Sequence, residues 1–242
     1  MAKAIHLNGG LMPATADGSV RVSPMACWYE PKNSIQRALA EVWAASSLIV
    51  LTGEPGTGKS AGAMGQAMLD LFAGRIEKII ISRPPVPSGR SIGFLTGDLI
   101  EKMTPWVRSL AHACAPFTNA SFAKLGADKV EIVDLGYVQG WTVRNAVLIV
   151  DEASNLFDRQ QCLCLATRVG ENAKVIWCGD PGQSNLHVYP NPFVEFSEDH
   201  RGTKGVSVLT ATRADVMRSE FCKEILNAED VIQEKRRRSF GG

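Results

Sequence analysis

The run Gly53-Glu54-Pro55-Gly56-Thr57-Gly58-Lys59-Ser60 carries the clearest chemistry in this 242-residue chain. It is a complete G-x-x-x-x-G-K-S phosphate loop, which holds phosphate anions through backbone N–H groups and the positive end of the helix that follows. Glycine is needed where the chain bends at φ > 0 and meets the phosphates without a Cβ. Lys59 is placed to reach the β- and γ-phosphates and the Ser60 hydroxyl to hold Mg²⁺. Gly53, Glu54, Pro55, Gly56, Thr57 and Gly58 are the other candidates for nucleotide contact. A second group closes the run Leu148-Ile149-Val150-Asp151-Glu152. There Asp151 is a candidate Mg²⁺ ligand and Glu152 a candidate base that orients and deprotonates water. A third follows Val175-Ile176-Trp177-Cys178 as Gly179-Asp180-Pro181-Gly182-Gln183. Gln183 could bond both the γ-phosphate and the lytic water, although the same residues also read as a tight turn with an exposed Gln. The three groups together imply hydrolysis of a nucleoside triphosphate with Mg²⁺ as cofactor.

For these groups to converge, each must sit at the carboxyl end of a strand in one sheet. Strand candidates fall at 48–52, 78–82, 130–134, 146–150, 174–178 and 206–209. Several are continuous Ile/Val/Leu runs, as expected of parallel strands covered on both faces. Ile35, Ala38, Leu39, Val42 and Trp43 recur at helical spacing from Ser34 onward. Further helices are expected at about 61–73, 98–114, 158–169 and 213–228. The alternation predicts a doubly wound α/β fold, a mostly parallel sheet with helices on both faces.

Composition is that of an ordinary globular chain, with 45% hydrophobic and 21% charged residues and a net charge of +1. No apolar run approaches the ~20 residues of a membrane span. Met1 to His6 lack the apolar core of a signal peptide, so a cytoplasmic location is expected, with no membrane partner. The 6 cysteines are scattered and read as reduced thiols. Cys162-x-Cys164 lacks a second ligand pair, so no metal beyond nucleotide-bound Mg²⁺ is indicated. Residues 1–30 read as a flexible or loosely packed arm, 31–230 as the ATPase domain and 231–242 as a basic tail. The tail carries Lys235-Arg236-Arg237-Arg238, either a solvated terminus or a contact for RNA or DNA phosphates.

From about Pro31 to Leu226 the chain resembles the PhoH family, whose ATPase core is similar to superfamily 1 helicases within the RecA-like class. The motifs that carry the likeness begin with Ile81-Ser82-Arg83-Pro84 and the loop Ser88 to Leu95, which continues into Glu101-Lys102 and Pro105. Asp151-Glu152-Ala153-Ser154-Asn155, Ala166-Thr167-Arg168-Val169-Gly170 and Asp215-Val216-Met217-Arg218 match further family segments. Thr96 replaces the usual Pro. Gln139-Gly140-Trp141-Thr142 stands where Arg-Gly-Arg-Thr is common, so two basic residues are missing. The resemblance implies a RecA-like P-loop NTPase, with Gln36 reading the adenine of ATP. It implies coupling to single-stranded RNA or DNA. Trp141, in an expected loop, and Trp106, in an expected helix, could stack on bases if exposed, although Trp106 reads more readily as core or interface packing.

Phosphoryl transfer gains from an arginine on the γ-phosphate. Related helicases place it on a second RecA-like domain, for which this chain is too short. A neighbouring subunit is therefore expected to supply it in a homo-oligomer, a hexameric ring. The candidates are Arg218, Arg168 and Arg83, although Arg218 could instead pair with Asp215 within a helix. The alternative function is a nucleotide-gated assembly or signalling switch with slow hydrolysis and no nucleic-acid substrate. A small-molecule kinase shares the phosphate loop but does not need the Asp-Glu and Gln groups that suit water.

Overall fold

The computed structural model describes residues 27–84, 128–186 and 188–240. The helix expected at 98–114, the loop from Ser88 to Leu95, Trp106 and Cys114 lie outside the described residues. Every strand expected from the apolar runs is present: β1 (Leu48–Gly53), β2 (Lys78–Ser82), β3 (Val130–Ile132), β4 (Ala146–Val150), β5 (Lys174–Gly179) and β6 (Val206–Ala211). They form one all-parallel sheet in the order β3-β2-β4-β5-β1-β6. The phosphate-loop strand β1 lies between β5 and β6, and β5 separates it from β4. Three carboxyl ends that carry chemistry, those of β1, β5 and β4, are therefore adjacent.

Successive side chains of a strand point to opposite faces, and here both faces are covered. Ile49, Leu51, Ile79, Ile81, Ile149 and Ile176 pack on one side against Leu39 and Trp43, from and just after α1 (Ser34–Val42), and Ala63, Met64 and Met68 of α2 (Lys59–Phe72). Val50, Leu148, Val150, Val175 and Trp177 pack on the other. That side is closed by α3 (Leu135–Val138), α4 (Arg159–Ala166) and α5 (Pro192–Asp199). Burying each such aliphatic side chain contributes about 1.5–3 kcal/mol, which explains why the middles of the central strands are continuous apolar runs, with polar residues such as Lys78, Ser82, Thr52 and Lys174 at their ends. The fold is the RecA-like P-loop α/β class.

Several boundaries differ from expectation, and three of the differences have a clear local reason. β3 stops at Ile132 because Asp134 caps α3, its carboxylate accepting from Gly136 N at 2.8 Å. The helix expected at 213–228 is split. Arg213–Asp215 forms a single 3₁₀ turn, then the chain extends through Val216 before α6 (Glu220–Phe240) begins. Asp215 forces this break by folding its carboxylate back on Thr212 and across to the start of α1. The residues expected to form a basic tail from 231 are, through Phe240, the continuation of α6. α5 has no counterpart in the periodicity, but Asn191 followed by Pro192 is a cap-plus-N1 signal that marks it.

Candidate nucleotide site

β1 ends in Gly53, whose φ of 122° only glycine adopts readily and whose missing Cβ would strike the Ala211 carbonyl of β6. The loop then turns through Gly56 (φ 78°) and Gly58 (φ 74°), the latter opening α2. Thr57 is buried and its hydroxyl donates to Glu54 O at 2.9 Å, tying the loop across itself. Lys59 Nζ folds inward, 2.7 Å from Gly53 O and 2.7 Å from Glu54 O. The Ser60 hydroxyl donates to Asp151 Oδ1 at 2.7 Å, which brings together the two groups expected to hold Mg²⁺. One hydroxyl and one carboxylate beside a phosphate cradle suit that ion, which keeps several waters and takes its other ligands from substrate phosphates. The residues present fit Mg²⁺.

The cleft has a volume of about 320 Å³ and is lined by Gly56, Gly58, Lys59, Ser60, Asp151, Glu152, Asp180, Gln183 and Arg218, among others. Burial raises the Glu152 carboxyl above its ordinary value, and the neighbouring Asp151 adds to this; Arg83 and Lys59 oppose it. Asp180 is raised by burial and restrained by Lys59 and by the Gly182 and Gln183 backbone. Burial also lowers Lys59, against the pull of Cys178, Asp180, Asp151 and Glu152. Each of these shifts disfavours the charged form, as partial burial does. Glu152 also sits at φ 54°, a left-handed conformation that a non-glycine residue holds only when its surroundings impose it. It is held there between β4 and the buried turn Ala153–Asn155, where Asn155 accepts from Asn185 N at 2.8 Å.

Lys59, Ser60, Asp151, Glu152, Gln183 and Arg218 are thus brought to one cleft. Arg218 reaches it from its own chain, whereas the sequence suggested delivery by a neighbour. Arg83 lies close enough to act on Glu152 electrostatically. Gln36 is placed differently from its expected adenine-reading role: it is 2% exposed, accepts from Lys32 N at 2.8 Å and donates to Gly58 O at 3.1 Å. It buttresses the phosphate loop. Arg168 does not line the cleft. Its guanidinium donates to Cys164 O (2.9 Å), Gln139 O (2.8 Å) and Trp141 O (3.3 Å), clamping the 139–141 turn. Asp180, Asn33 and Asp215 take roles that the sequence did not assign to them; Asp215 was expected only as a possible helical partner of Arg218, and its carboxylate instead serves Thr212, Ser34 and Ile35. Asp180 was visible at the end of an apolar strand; the other two act through hydrogen bonds that spacing cannot reveal.

This sheet and cleft define a P-loop nucleoside-triphosphatase fold of the RecA-like class. A family model described as "PhoH-like protein" matches residues 29–230, and the chain belongs to the PhoH family. It is 33% identical over 198 residues to the PhoH-like protein of Bacillus subtilis (strain 168), covering 81% of this chain and 62% of that protein. It is 32% identical over 206 residues to Protein PhoH of Escherichia coli (strain K12), covering 81% and 57%. The chain thus spans less than two thirds of the length of these relatives. Among solved structures it is similar to the Sulfolobus solfataricus SWI2/SNF2 ATPase core in complex with dsDNA (11% identity, TM-score 0.39, 73% of this chain and 42% of that one). The Pif1 helicase from Candida albicans is comparable (17% identity, TM-score 0.36, 75% and 40%).

Proposed function

We propose that this chain hydrolyses ATP in a Mg²⁺-dependent reaction and couples the cycle to single-stranded RNA or DNA. The observation that carries the hydrolytic part is the convergence of Lys59, Ser60, Asp151, Glu152 and Gln183 on one cleft. Lys59 and the loop amides would hold the β- and γ-phosphates, and Ser60 with Asp151 would hold the metal. Bound Mg²⁺ neutralises charge that develops on the phosphate oxygens. Water attacks the γ-phosphorus, its proton passes to Glu152, and the bond to the bridging oxygen breaks to leave ADP and inorganic phosphate. Gln183, exposed at the rim on the turn Pro181–Gln183, would orient that water.

The nucleic-acid part is supported by Trp141, 37% exposed on the turn that Arg168 clamps, where a base could stack. A homo-oligomeric ring is part of the same reading. Its support is α6, none of whose described side chains is buried and which displays Phe221, Ile225, Val231 and Ile232. One observation favours the second reading, a nucleotide-gated switch without nucleic acid. The Arg168 guanidinium is turned onto backbone carbonyls, so the 139–142 turn presents no cation to a phosphate chain. Phosphate release from Mg-ATP, with and without single-stranded RNA and DNA, separates the two in wild type and Glu152→Gln. Stimulation by one nucleic acid that disappears in the variant supports the first reading. Basal turnover indifferent to both nucleic acids supports the switch, and no phosphate release under any condition removes the hydrolytic reading.

A further inference from the structure

After β6 the chain does not leave the sheet but returns across the phosphate loop, as a strap formed by Thr212 to Arg218. Met217 N donates to Gly56 O at 3.0 Å, a backbone bond between strap and loop. The Arg218 side chain then lies over Gly56: a Cβ there would come within 2.9 Å of Arg218 Cδ and 3.0 Å of its Nε. Gly56 is therefore needed twice, for its positive φ and for the space the arginine occupies. Among the described residues no hydrogen-bond acceptor or carboxylate engages the Arg218 guanidinium, although it borders a cleft that contains Asp151, Glu152 and Asp180.

The strap is fixed by a buried network of this chain alone. Asp215, 3% exposed, accepts from Thr212 N (2.9 Å), Thr212 Oγ1 (3.1 Å), Ile35 N (3.0 Å) and the Ser34 hydroxyl. Asn33 spans the remaining gap: its Nδ2 donates to Asp215 O at 2.7 Å and to Thr57 O at 2.9 Å. One side-chain amide thus binds strap and phosphate loop to each other. For Arg218 to serve a different subunit, the guanidinium would have to turn away from the cleft it borders, while the Met217–Gly56 bond holds its backbone beside the phosphate loop.

We propose that Arg218 is the cation that meets the terminal phosphate in the cleft of its own chain, with Asp215 and Asn33 as positioning residues that hold it there. The proposal rests on the nucleotide-binding reading above and replaces delivery of Arg218 by a neighbouring subunit. A ring of subunits is not needed to complete this cleft with Arg218.

Two measurements on the full chain test it. In the first, calorimetry follows Mg²⁺ with a non-hydrolysable ATP analogue, and separately with ADP. Arg218→Ala is expected to weaken the analogue by about tenfold or more, the loss of charge-assisted hydrogen bonds, while ADP changes far less. Asp215→Asn is expected to show the same selective loss to a smaller degree, and to add little in the double variant because both act through one group. Equal weakening of analogue and ADP, or an additive double variant, would reduce Asp215 to a structural role. Unchanged analogue affinity in Arg218→Ala would overturn the proposal. In the second, Arg218→Ala and Lys59→Ala chains are co-expressed and purified together. Service within one chain predicts no turnover beyond that of the two variants alone; restored turnover would show delivery between chains and overturn it. If wild type binds the analogue selectively but releases no phosphate, hydrolysis fails as a reading while the placement of Arg218 stands. If wild type binds neither nucleotide, both fall together.

Discussion

The sheet has a crevice at each end, and the two differ in what their polar groups are doing. At the carboxyl end lies the phosphate cleft of about 320 Å³; at the amino end Trp43, Asp70, Arg75, Asn172 and Lys174 border a space of about 370 Å³. The larger space is internally settled. Asp70 accepts from Trp43 Nε1 at 2.8 Å and pairs with Arg75 Nε at 2.7 Å. Lys174 donates to Ser46 O at 2.9 Å and stands 5.8 Å from the centre of the Trp43 ring. In the phosphate cleft, by contrast, Asp180 Oδ2 is buried without a hydrogen-bond partner among the described residues, and Glu152 is held at positive φ. Volume does not mark a functional site. Groups arranged for something the chain itself does not supply mark it.

Glu152→Gln is the largest test of this contrast. It should reduce phosphate release by about 10²–10⁴-fold, the range for loss of a general base, with nucleotide affinity retained. The raised carboxyl also sets a direction with pH. Protonated Glu152 cannot accept a proton, so turnover should decline as pH falls, beginning above the 4.5 of an ordinary glutamate. A pH–rate profile whose acid limb lies at or below that value would refute this assignment. Lys59→Ala should cost about 10²–10³-fold in turnover, the range for one electrostatic stabiliser, without loss of the folded state. Both readouts are phosphate release beside a thermal melt.

At the other crevice the effects should invert. Asp70→Asn weakens the buried bond to Trp43 and the pair with Arg75, and should destabilise the fold by about 1–3 kcal/mol in urea. Turnover per folded molecule should stay within about twofold, because no group of that crevice lines the cleft. A large loss of turnover would mean the two ends are coupled. The smallest effect concerns Asp215. Burial pushes its carboxyl up, but hydrogen bonds from Ser34, Thr212 and Ile35 outweigh this and hold it below 3.8. A depressed carboxylate contributes stability that is complete above its unfolded value and is lost as pH falls through the folded one. Wild type should therefore lose stability more steeply than Asp215→Asn as pH drops below 3.8.

The sheet was legible because its four inner strands are largely buried on both faces and announce themselves as apolar runs; β2 and β4 have the expected limits. Lys59, Ser60, Asp151 and Glu152 were legible for a related reason, since each follows such a run and a parallel sheet aligns the strand ends. What the sequence concealed was tertiary. Gln36 has the amide suited to reading a base, yet the loop carbonyl of Gly58 claims it. Arg168 carries the charge suited to a phosphate, yet three backbone carbonyls take it. Periodicity joined 213–228 into one helix because it registers side-chain spacing and not the pull of Asp215 toward α1.

β1 also has a consequence for how the molecule comes into being. Both of its hydrogen-bonded neighbours are late in the chain: Leu48 lies beside Val175 of β5 and Val206 of β6. During synthesis the strand that feeds the phosphate loop emerges with both edges bare and waits for well over a hundred residues before either partner exists. Such sequence-distant pairing slows folding and leaves apolar edges open to other chains. Fragments that stop before Lys174 should therefore aggregate, and the nascent chain should gain most from a holding chaperone in the interval between β1 and β5.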